Sequence, residues 1–141
     1  MGRWGGGEVR RLEGEKVFKK FEEIDAWKRG RRLVKSIYAL TNEGLFANDF
    51  GLKEQIRRAA ISVCSNIAEG FGRRGNKEFV KFLWIAKGSA AEIQSQLYHA
   101  RDLKYIQHDT AKELYSKVNL ISAEIYSLIK SLSVNLTHVK V

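Results

Sequence analysis

The strongest pattern in this 141-residue chain lies at residues 76–103, NKEFVKFLWIAKGSAAEIQSQLYHARDL. Apolar or small side chains recur there every seven residues, and a second series lies between them at alternating steps of four and three. This spacing is the heptad repeat of a helix that packs against other helices along its length. It predicts a long helix over about 76–104. The seam consists of Phe79, Leu83, Ala86, Ala90, Ile93, Leu97 and Ala100.

Three further segments carry apolar residues at helical spacing, and they predict helices over about 22–41, 49–70 and 110–132. Asp49 is a candidate N-cap for the second of the four helices, because its side chain can accept a hydrogen bond from the first turn. Thr110 begins a Thr-x-x-Glu capping box for the fourth helix.

Short connections between long amphipathic helices favour antiparallel neighbours. The sequence therefore predicts an all-α fold, an antiparallel up-down four-helix bundle over residues 18–133. Gly70 and Gly72 are predicted to end the second helix, and Asn76 to cap the third. The chain contains no proline, which fits this fold because proline disrupts helix interiors.

The two ends of the chain lie outside the periodic segments. Residues 1–17 are basic and contain five of the twelve glycines. Each glycine adds backbone entropy that ordering must overcome, so this segment is predicted to be a flexible tail. Residues 134–141 carry no helical period and are predicted to be a short C-terminal tail.

Composition narrows the class of protein. The formal net charge of +9 favours an acidic partner. A single cysteine excludes an intramolecular disulfide and favours a reducing compartment. No apolar run approaches the roughly 18–20 residues of a membrane span, and the first residues lack the apolar stretch of a signal peptide. We therefore expect a cytoplasmic protein that is not embedded in a membrane.

Several apolar residues fall on the helix faces that a monomeric bundle would turn to solvent. On the third helix four of them lie roughly 100–140° from the heptad seam, at about 100° per residue. One reading is that single exposed apolar residues are ordinary, or that the bundle is irregular and buries them. The reading we favour is self-association through an exposed apolar strip, which makes the protein a homo-oligomer. The strip consists of Ile61, Val80, Trp84, Ala91 and Tyr98.

The sequence offers no constellation for catalysis. Its three histidines, His99, His108 and His138, form no pair at metal-ligand spacing. Cys64 lies between core positions and is expected to be a small buried residue rather than a nucleophile. We therefore expect no enzymatic activity, no metal, no cofactor and no small-molecule substrate.

Cations near the connection between the second and third helices are the candidate binding site. They lie beside the positive end of the third helix dipole and suit the phosphate backbone of RNA or DNA. A solvated basic surface is the alternative. The basic run on the first helix, 28–35, is partly neutralised by nearby carboxylates at 22, 23 and 25, and the pattern of a base-stacking surface is absent. The chosen cations are Arg73, Arg74, Lys77 and Lys81 around this connection, together with Arg57 and Arg58 earlier on the second helix.

Four segments resemble a known family. They are GLKEQIRRAA at 51–60, SVCSNIAEG at 62–70, EFVKFL at 78–83 and GSAAE at 88–92. They are similar to the 23S rRNA intervening-sequence protein family, small four-helix-bundle proteins also called S23 ribosomal proteins. The resemblance covers about residues 18–132. Two features depart from it: the family commonly has Phe-Pro where this chain has Phe-Ala before the second helix, and the Gly-rich N-terminal extension lies outside the family pattern.

The resemblance implies a homo-oligomer, with a ring of five as the arrangement associated with the family. It also implies a gene within, or descended from, an insertion in large-subunit ribosomal RNA. It implies no defined biochemical activity. A related bundle, the accessory protein of diversity-generating retroelements, is basic and pentameric and associates with nucleic acid and a reverse transcriptase. That analogy favours nucleic-acid binding for this chain.

The family motif includes Asn66, Glu69 and Gly70 near the end of the second helix. A carboxylate is unfavourable beside the negative end of the helix dipole. Glu69 is therefore expected to be held by Arg73, by Arg74 or by a partner subunit. Because no paired acid or base accompanies it, a structural role is favoured over a catalytic one.

The sequence thus favours a non-enzymatic, oligomeric four-helix bundle that binds RNA or other nucleic acid electrostatically. The alternative is a protein–protein interaction scaffold whose basic charge is incidental and whose apolar strip recruits a different protein. The two differ in the salt dependence of nucleic-acid affinity, which is steep only for the first.

Overall fold

The computed structural model describes residues 10–11 and 17–139, with side chains from 18 to 134. A two-residue strand pair joins Arg10–Arg11 (β1) to Val17–Phe18 (β2). The rest of the described chain is helices and their connections. After a 3₁₀ turn at Phe21–Glu23, the α-helices are α1 Asp25–Leu40, α2 Gly44–Asn48, α3 Phe50–Gly72, α4 Asn76–Asp102 and α5 His108–Val139.

The four long helices form a helical bundle. Helix α4 packs against α3 and α5, and α1 packs against the same two helices. All seven residues of the heptad seam on α4 are buried. Since transfer of apolar surface from water drives folding, this continuous buried seam makes α4 a central element of the core. The helical fold predicted by the sequence is confirmed.

Several helix ends differ from the prediction. The first predicted helix is interrupted at Ile24, whose extended backbone lies between the 3₁₀ turn and α1. Asn76 is the first residue of α4, so the N-cap is Gly75 and not Asn76. The positive φ of Gly75, +80°, turns the chain just before the helix. The predicted capping box at Thr110 is wrong, because the helix already begins at His108 and Thr110 lies inside it. The Ala111 N–H donates to the Gln107 carbonyl at 3.0 Å.

The two predicted tails have different outcomes. Most of residues 1–17 lies outside the described part of the chain, apart from β1 and the first residue of β2. At the other end, α5 continues through Val139, where a tail from 134 was predicted. Within the described residues, no helix combines the length and apolar character that crossing a membrane requires.

Asp49 is confirmed as the N-cap of α3. Its Oδ1 accepts a hydrogen bond from the Leu52 N–H at 3.1 Å. Its Oδ2 accepts one from the Tyr105 hydroxyl at 2.8 Å, which ties the start of α3 to the connection between α4 and α5. These hydrogen bonds, led by the one from Leu52, hold the pKa of Asp49 below its usual value. The Tyr105 ring also packs on the fully buried Phe46 of α2.

The sequence predicted that α3 ends at Gly70, but the helix continues to Gly72. Gly70 lies inside it, close to α4. A Cβ at this position would lie 2.7 Å from the Phe82 Cβ and 3.0 Å from the Phe79 Cδ1. Both neighbours are held on the same helix, and the Phe82 Cβ is too near its backbone to move away. Glycine is therefore required here by the separation of α3 and α4.

We predict that Gly70→Ala lowers the free energy of unfolding by about 1–3 kcal/mol, the usual range for overpacking a core. Gly88→Ala is the matched control, because Gly88 lies in the middle of α4 and a Cβ there meets nothing within 4 Å. It should raise the stability by up to about 1 kcal/mol through helix propensity. Urea unfolding at one protein concentration measures both, and a Gly70→Ala variant as stable as the wild type would contradict the close packing.

Candidate nucleic-acid interface

Arg57 is a structural residue rather than a free surface cation. Its Nε donates to the Thr41 Oγ1 at 2.8 Å, and its Nη2 donates to the Tyr38 carbonyl at 3.3 Å. The guanidinium also lies 4.1 Å from the centre of the Tyr38 ring. Thr41 is fully buried, and its hydroxyl lies 2.7 Å from the Ile37 carbonyl. Arg57 thus holds the C-terminal end of α1, where carbonyls lack helical partners.

Two more of the predicted cations are paired. Arg58 is exposed and forms an i,i+4 ion pair with Glu54 at 3.3 Å. The Arg73 Nη2 lies 2.7 Å from the Glu69 Oε2, and its guanidinium lies 5.0 Å from the centre of the Phe82 ring. The pair with Arg73 is one of the alternatives that the sequence left open for Glu69. Both pairs are exposed and contribute little to stability.

The remaining three candidate cations lie at the N-terminal end of α4, and we call them the α4 end. Arg74, Lys77 and Lys81 are all exposed. Within residues 18–134, no carboxylate lies within ion-pair distance of any of them. Gly75 supplies no side chain to cap the helix. The three cations therefore lie beside the positive end of the helix dipole, which favours anions.

Asn66 forms hydrogen bonds within its own helix. Its Nδ2 lies 2.9 Å from both the carbonyl and the hydroxyl of Ser62. The Ser62 hydroxyl also lies 2.8 Å from the Ser89 hydroxyl on α4. Asn66 thus belongs to a small polar network at the α3–α4 contact. Together with the close approach at Gly70, this gives the family motif a role in helix packing.

The structure separates the predicted apolar strip into two surfaces. Trp84 and Tyr98 are each half exposed and face α5, where their rings meet those of Tyr126 and Tyr115 at 6.2 and 5.8 Å between centres. Ala91 is exposed on the same helix, whereas Val80 is partly buried against the core. Ile61 is exposed on α3, which packs against α1 and α4 rather than α5.

The surface between α4 and α5 carries more aromatic character than the sequence indicated. We call it the α4/α5 face, and define it by Trp84, Ala91, Tyr98, Tyr115 and Tyr126. Two shallow depressions of about 390 and 350 Å³ run along it. Sequence reasoning missed the two tyrosines of α5, because only the packing of α5 against α4 brings them beside Trp84 and Tyr98. Three cations lie over its rings, namely Lys87, Arg101 and Lys130.

Cys64 is poorly suited to nucleophilic chemistry. Burial raises the pKa of its thiol to about 11. Its Sγ would lie 2.8 Å from a Cβ built on Gly30, so the thiol fills the space between α1 and α3. Within the described residues, no three His, Cys, Asp or Glu side chains are grouped as a metal site would require.

Two comparisons connect the chain to known proteins. A model of the 23S rRNA-intervening sequence protein family matches residues 22–127. A Bacteroides thetaiotaomicron protein of unknown function from the S23 ribosomal protein family has a similar structure, with a TM-score of 0.69 and 21% sequence identity. The similarity covers 74% of this chain and 95% of that one. No curated protein matches the chain.

We predict that Arg57→Gln lowers the free energy of unfolding by about 1–2 kcal/mol, because it removes charged hydrogen bonds to Thr41 and Tyr38. Arg58→Gln is the control: it removes the same charge from the neighbouring residue but only an exposed ion pair, and should change stability by less than about 0.5 kcal/mol. Chemical unfolding measures both. Equal stabilities of the two variants would contradict the structural role of Arg57.

Proposed function

We propose that this chain, which belongs to the 23S rRNA-intervening sequence protein family, is a non-enzymatic homo-oligomer that binds RNA or other nucleic acid through surface cations. The family match covers most of the chain. A cytoplasmic location is part of the proposal and agrees with the single free thiol of Cys64.

The observation that carries the proposal is the group of three cations at the start of α4. Arg74, Lys77 and Lys81 are exposed beside a helix end that favours anions. Of the six candidates, these three have no carboxylate within ion-pair distance among residues 18–134, whereas Arg57 is held by hydrogen bonds and the other two form ion pairs. Lysine and arginine contacts to phosphate supply affinity without reading the base sequence.

We further propose an antiparallel up-down order for the four long helices. Two hydrogen-bonded pairs between α3 and α4 support it. Ser62 pairs with Ser89 and Gln55 with Gln96, so seven residues forward on α4 correspond to seven residues backward on α3. The ring pairs of Trp84 with Tyr126 and of Tyr98 with Tyr115 follow the same reversal between α4 and α5.

Self-association is proposed to use the α4/α5 face. Aromatic rings that remain half exposed in one chain are typical of surfaces that a partner covers. A ring of identical chains needs two different surfaces that fit each other. Ile61 and Ile85, both exposed on the α3 and α4 side, supply a second apolar surface. Five subunits are the number that the family resemblance suggests.

The second candidate function is a protein–protein interaction scaffold. The same α4/α5 face favours it, because its exposed aromatic rings fit a foreign protein as well as a second copy of the chain. In that case the charge of the α4 end is incidental. Nucleic-acid affinity separates the two functions, since phosphate contacts weaken steeply as salt rises.

We predict that the full-length protein binds a fluorescently labelled single-stranded RNA at low salt, measured by anisotropy. Each phosphate that a cation neutralises should add about 0.7 to the slope of log affinity against log salt. Neutralising the α4 end should weaken binding about tenfold or more at low salt and reduce the slope. The variant combines Arg74→Gln, Lys77→Gln and Lys81→Gln.

The control variant removes three cations near the other end of the bundle, on α3, after α4 and on α5. Its net charge is therefore the same as that of the first variant. It combines Lys53→Gln, Lys104→Gln and Lys112→Gln. It should bind RNA within about threefold of the wild type, because general attraction by net charge is retained equally in both variants. Absent RNA binding at low salt, or an affinity that does not change with salt, would favour the scaffold.

We predict that the wild-type protein is oligomeric at micromolar concentration and that Trp84→Glu dissociates it, because the substitution places a charge on the apolar surface. Leu45→Glu is the control, since Leu45 is 65% exposed on α2, away from the α4/α5 face. Sedimentation velocity distinguishes the species. A monomeric wild type, or a Trp84→Glu variant that remains fully assembled, would contradict self-association through this face.

A further inference from the structure

Helix α1 presents a continuous basic stripe to solvent. Lys28, Arg31, Arg32 and Lys35 follow the i, i+3, i+4, i+7 spacing of one helix face, and all four are exposed. The opposite face of α1 is buried in the core through Ala26, Gly30, Leu33 and Ile37. The packing of α1 therefore fixes the direction of the stripe. We call these four cations the α1 stripe.

Within residues 18–134, none of the carboxylates at 22, 23 and 25 forms an ion pair with this stripe. The Glu23 Oε1 accepts a hydrogen bond from the Lys19 backbone N–H at 2.9 Å. Glu22 is half-buried, with one carboxylate oxygen fully enclosed. Asp25 is the one carboxylate on α1, which carries five cations. Within residues 18–134, no carboxylate lies within ion-pair distance of the stripe.

The stripe borders a groove between α1 and α5. A depression of about 150 Å³ lies there, and its apolar lining consists of Leu33, Leu120 and Ile121. Polar and cationic side chains line its edges: Arg29, Arg32 and Ser36 from α1, and Lys117 from α5. Glu124 of α5 holds Arg29, whose Nε lies 3.0 Å from the Glu124 Oε2. Arg32 and Lys117 are left as exposed cations on the two sides of the groove.

We infer that the α1 stripe and the α1/α5 groove together bind the sugar–phosphate backbone of one RNA strand. Seven residues of helix separate Lys28 from Lys35, about 10 Å, so the four cations form a line along which the backbone of a strand can lie. Arginine can bind phosphate with two parallel hydrogen bonds, and the Ser36 hydroxyl can add another. This inference rests on the proposed function and assigns it a second binding surface.

The geometry favours a nucleic acid over a lipid surface. A helix that binds membranes lays a large apolar face into the lipid beside its cations. The apolar face of α1 is instead buried inside the bundle. Only the charged side is available, which suits a polymer of phosphates with a regular spacing.

The α1 stripe and the α4 end are separate sites. Helices α1 and α4 both pack between α3 and α5, on opposite sides of the bundle. Self-association through α4 would therefore leave the stripe open on each subunit. Repeated stripes on one oligomer would then bind one RNA several times, which raises the overall affinity.

The test uses the full-length protein and the labelled single-stranded RNA, with anisotropy read at several salt concentrations. The variant removes three cations from the stripe and groove but spares Arg29, which holds Glu124. We expect at least about a tenfold loss of affinity at low salt and a slope lower by about 2, for three phosphate contacts at about 0.7 each. The variant combines Arg32→Gln, Lys35→Gln and Lys117→Gln.

The control is the charge-matched variant at 53, 104 and 112, and thermal unfolding by circular dichroism checks that all variants fold alike. If the wild type binds no RNA, the proposed function fails, and this inference with it. If the wild type binds and the stripe variant matches the control, the inference alone is overturned. It is also overturned if the stripe variant keeps its RNA affinity but no longer sediments with vesicles of equal parts phosphatidylcholine and phosphatidylserine, which would assign the stripe to lipid.

Discussion

The contact between α3 and α4 sets how closely the helices of this protein approach. Gly70 leaves no room for a Cβ beside Phe79 and Phe82. Further along the same contact, the small side chains of Ser62 and Ser89 meet directly, with their hydroxyls 2.8 Å apart. Interiors are packed as densely as organic crystals, so a methyl group at Gly70 would have to displace its neighbours on α4. Because α4 also packs along α5, its position fixes the α4/α5 face and hence the exposed aromatic rings.

Polar side chains fix the ends of the helices that this contact brings together. Arg57 holds the end of α1 through Thr41 and Tyr38, and Asp49 joins the start of α3 to Tyr105. Both residues add hydrogen bonds to backbone or hydroxyl groups at the helix ends. Arg57 therefore serves the fold, although it lies in the same run of sequence as the exposed Arg58.

The sequence predicts the core more completely than the site, for a physical reason. A heptad records burial directly, and all seven seam residues from Phe79 to Ala100 are buried. The role of Gly70 depends on Phe82 of another helix, and that of Arg57 depends on Thr41, sixteen residues away. Such pairings depend on how the helices pack, and the spacing of residues along one helix does not predict them. The sequence indicates the α4 end because its cations lie close together along the chain. The α1 stripe can be recognised as unpaired only from the structure, which shows where the Glu22 and Glu23 side chains lie.

The arrangement of like charges bears on the proposed binding. Lys28 with Arg32, and Arg31 with Lys35, are i,i+4 pairs of equal sign, which weaken a helix by a few tenths of a kcal/mol each. Lys77 with Lys81 forms a third such pair on α4. The buried face of α1 supplies the stability that tolerates this repulsion in the free protein. A polyanion placed along the stripe would cancel the repulsion as well as pair with each cation, so the pairs that weaken the free helix would strengthen its complex with RNA.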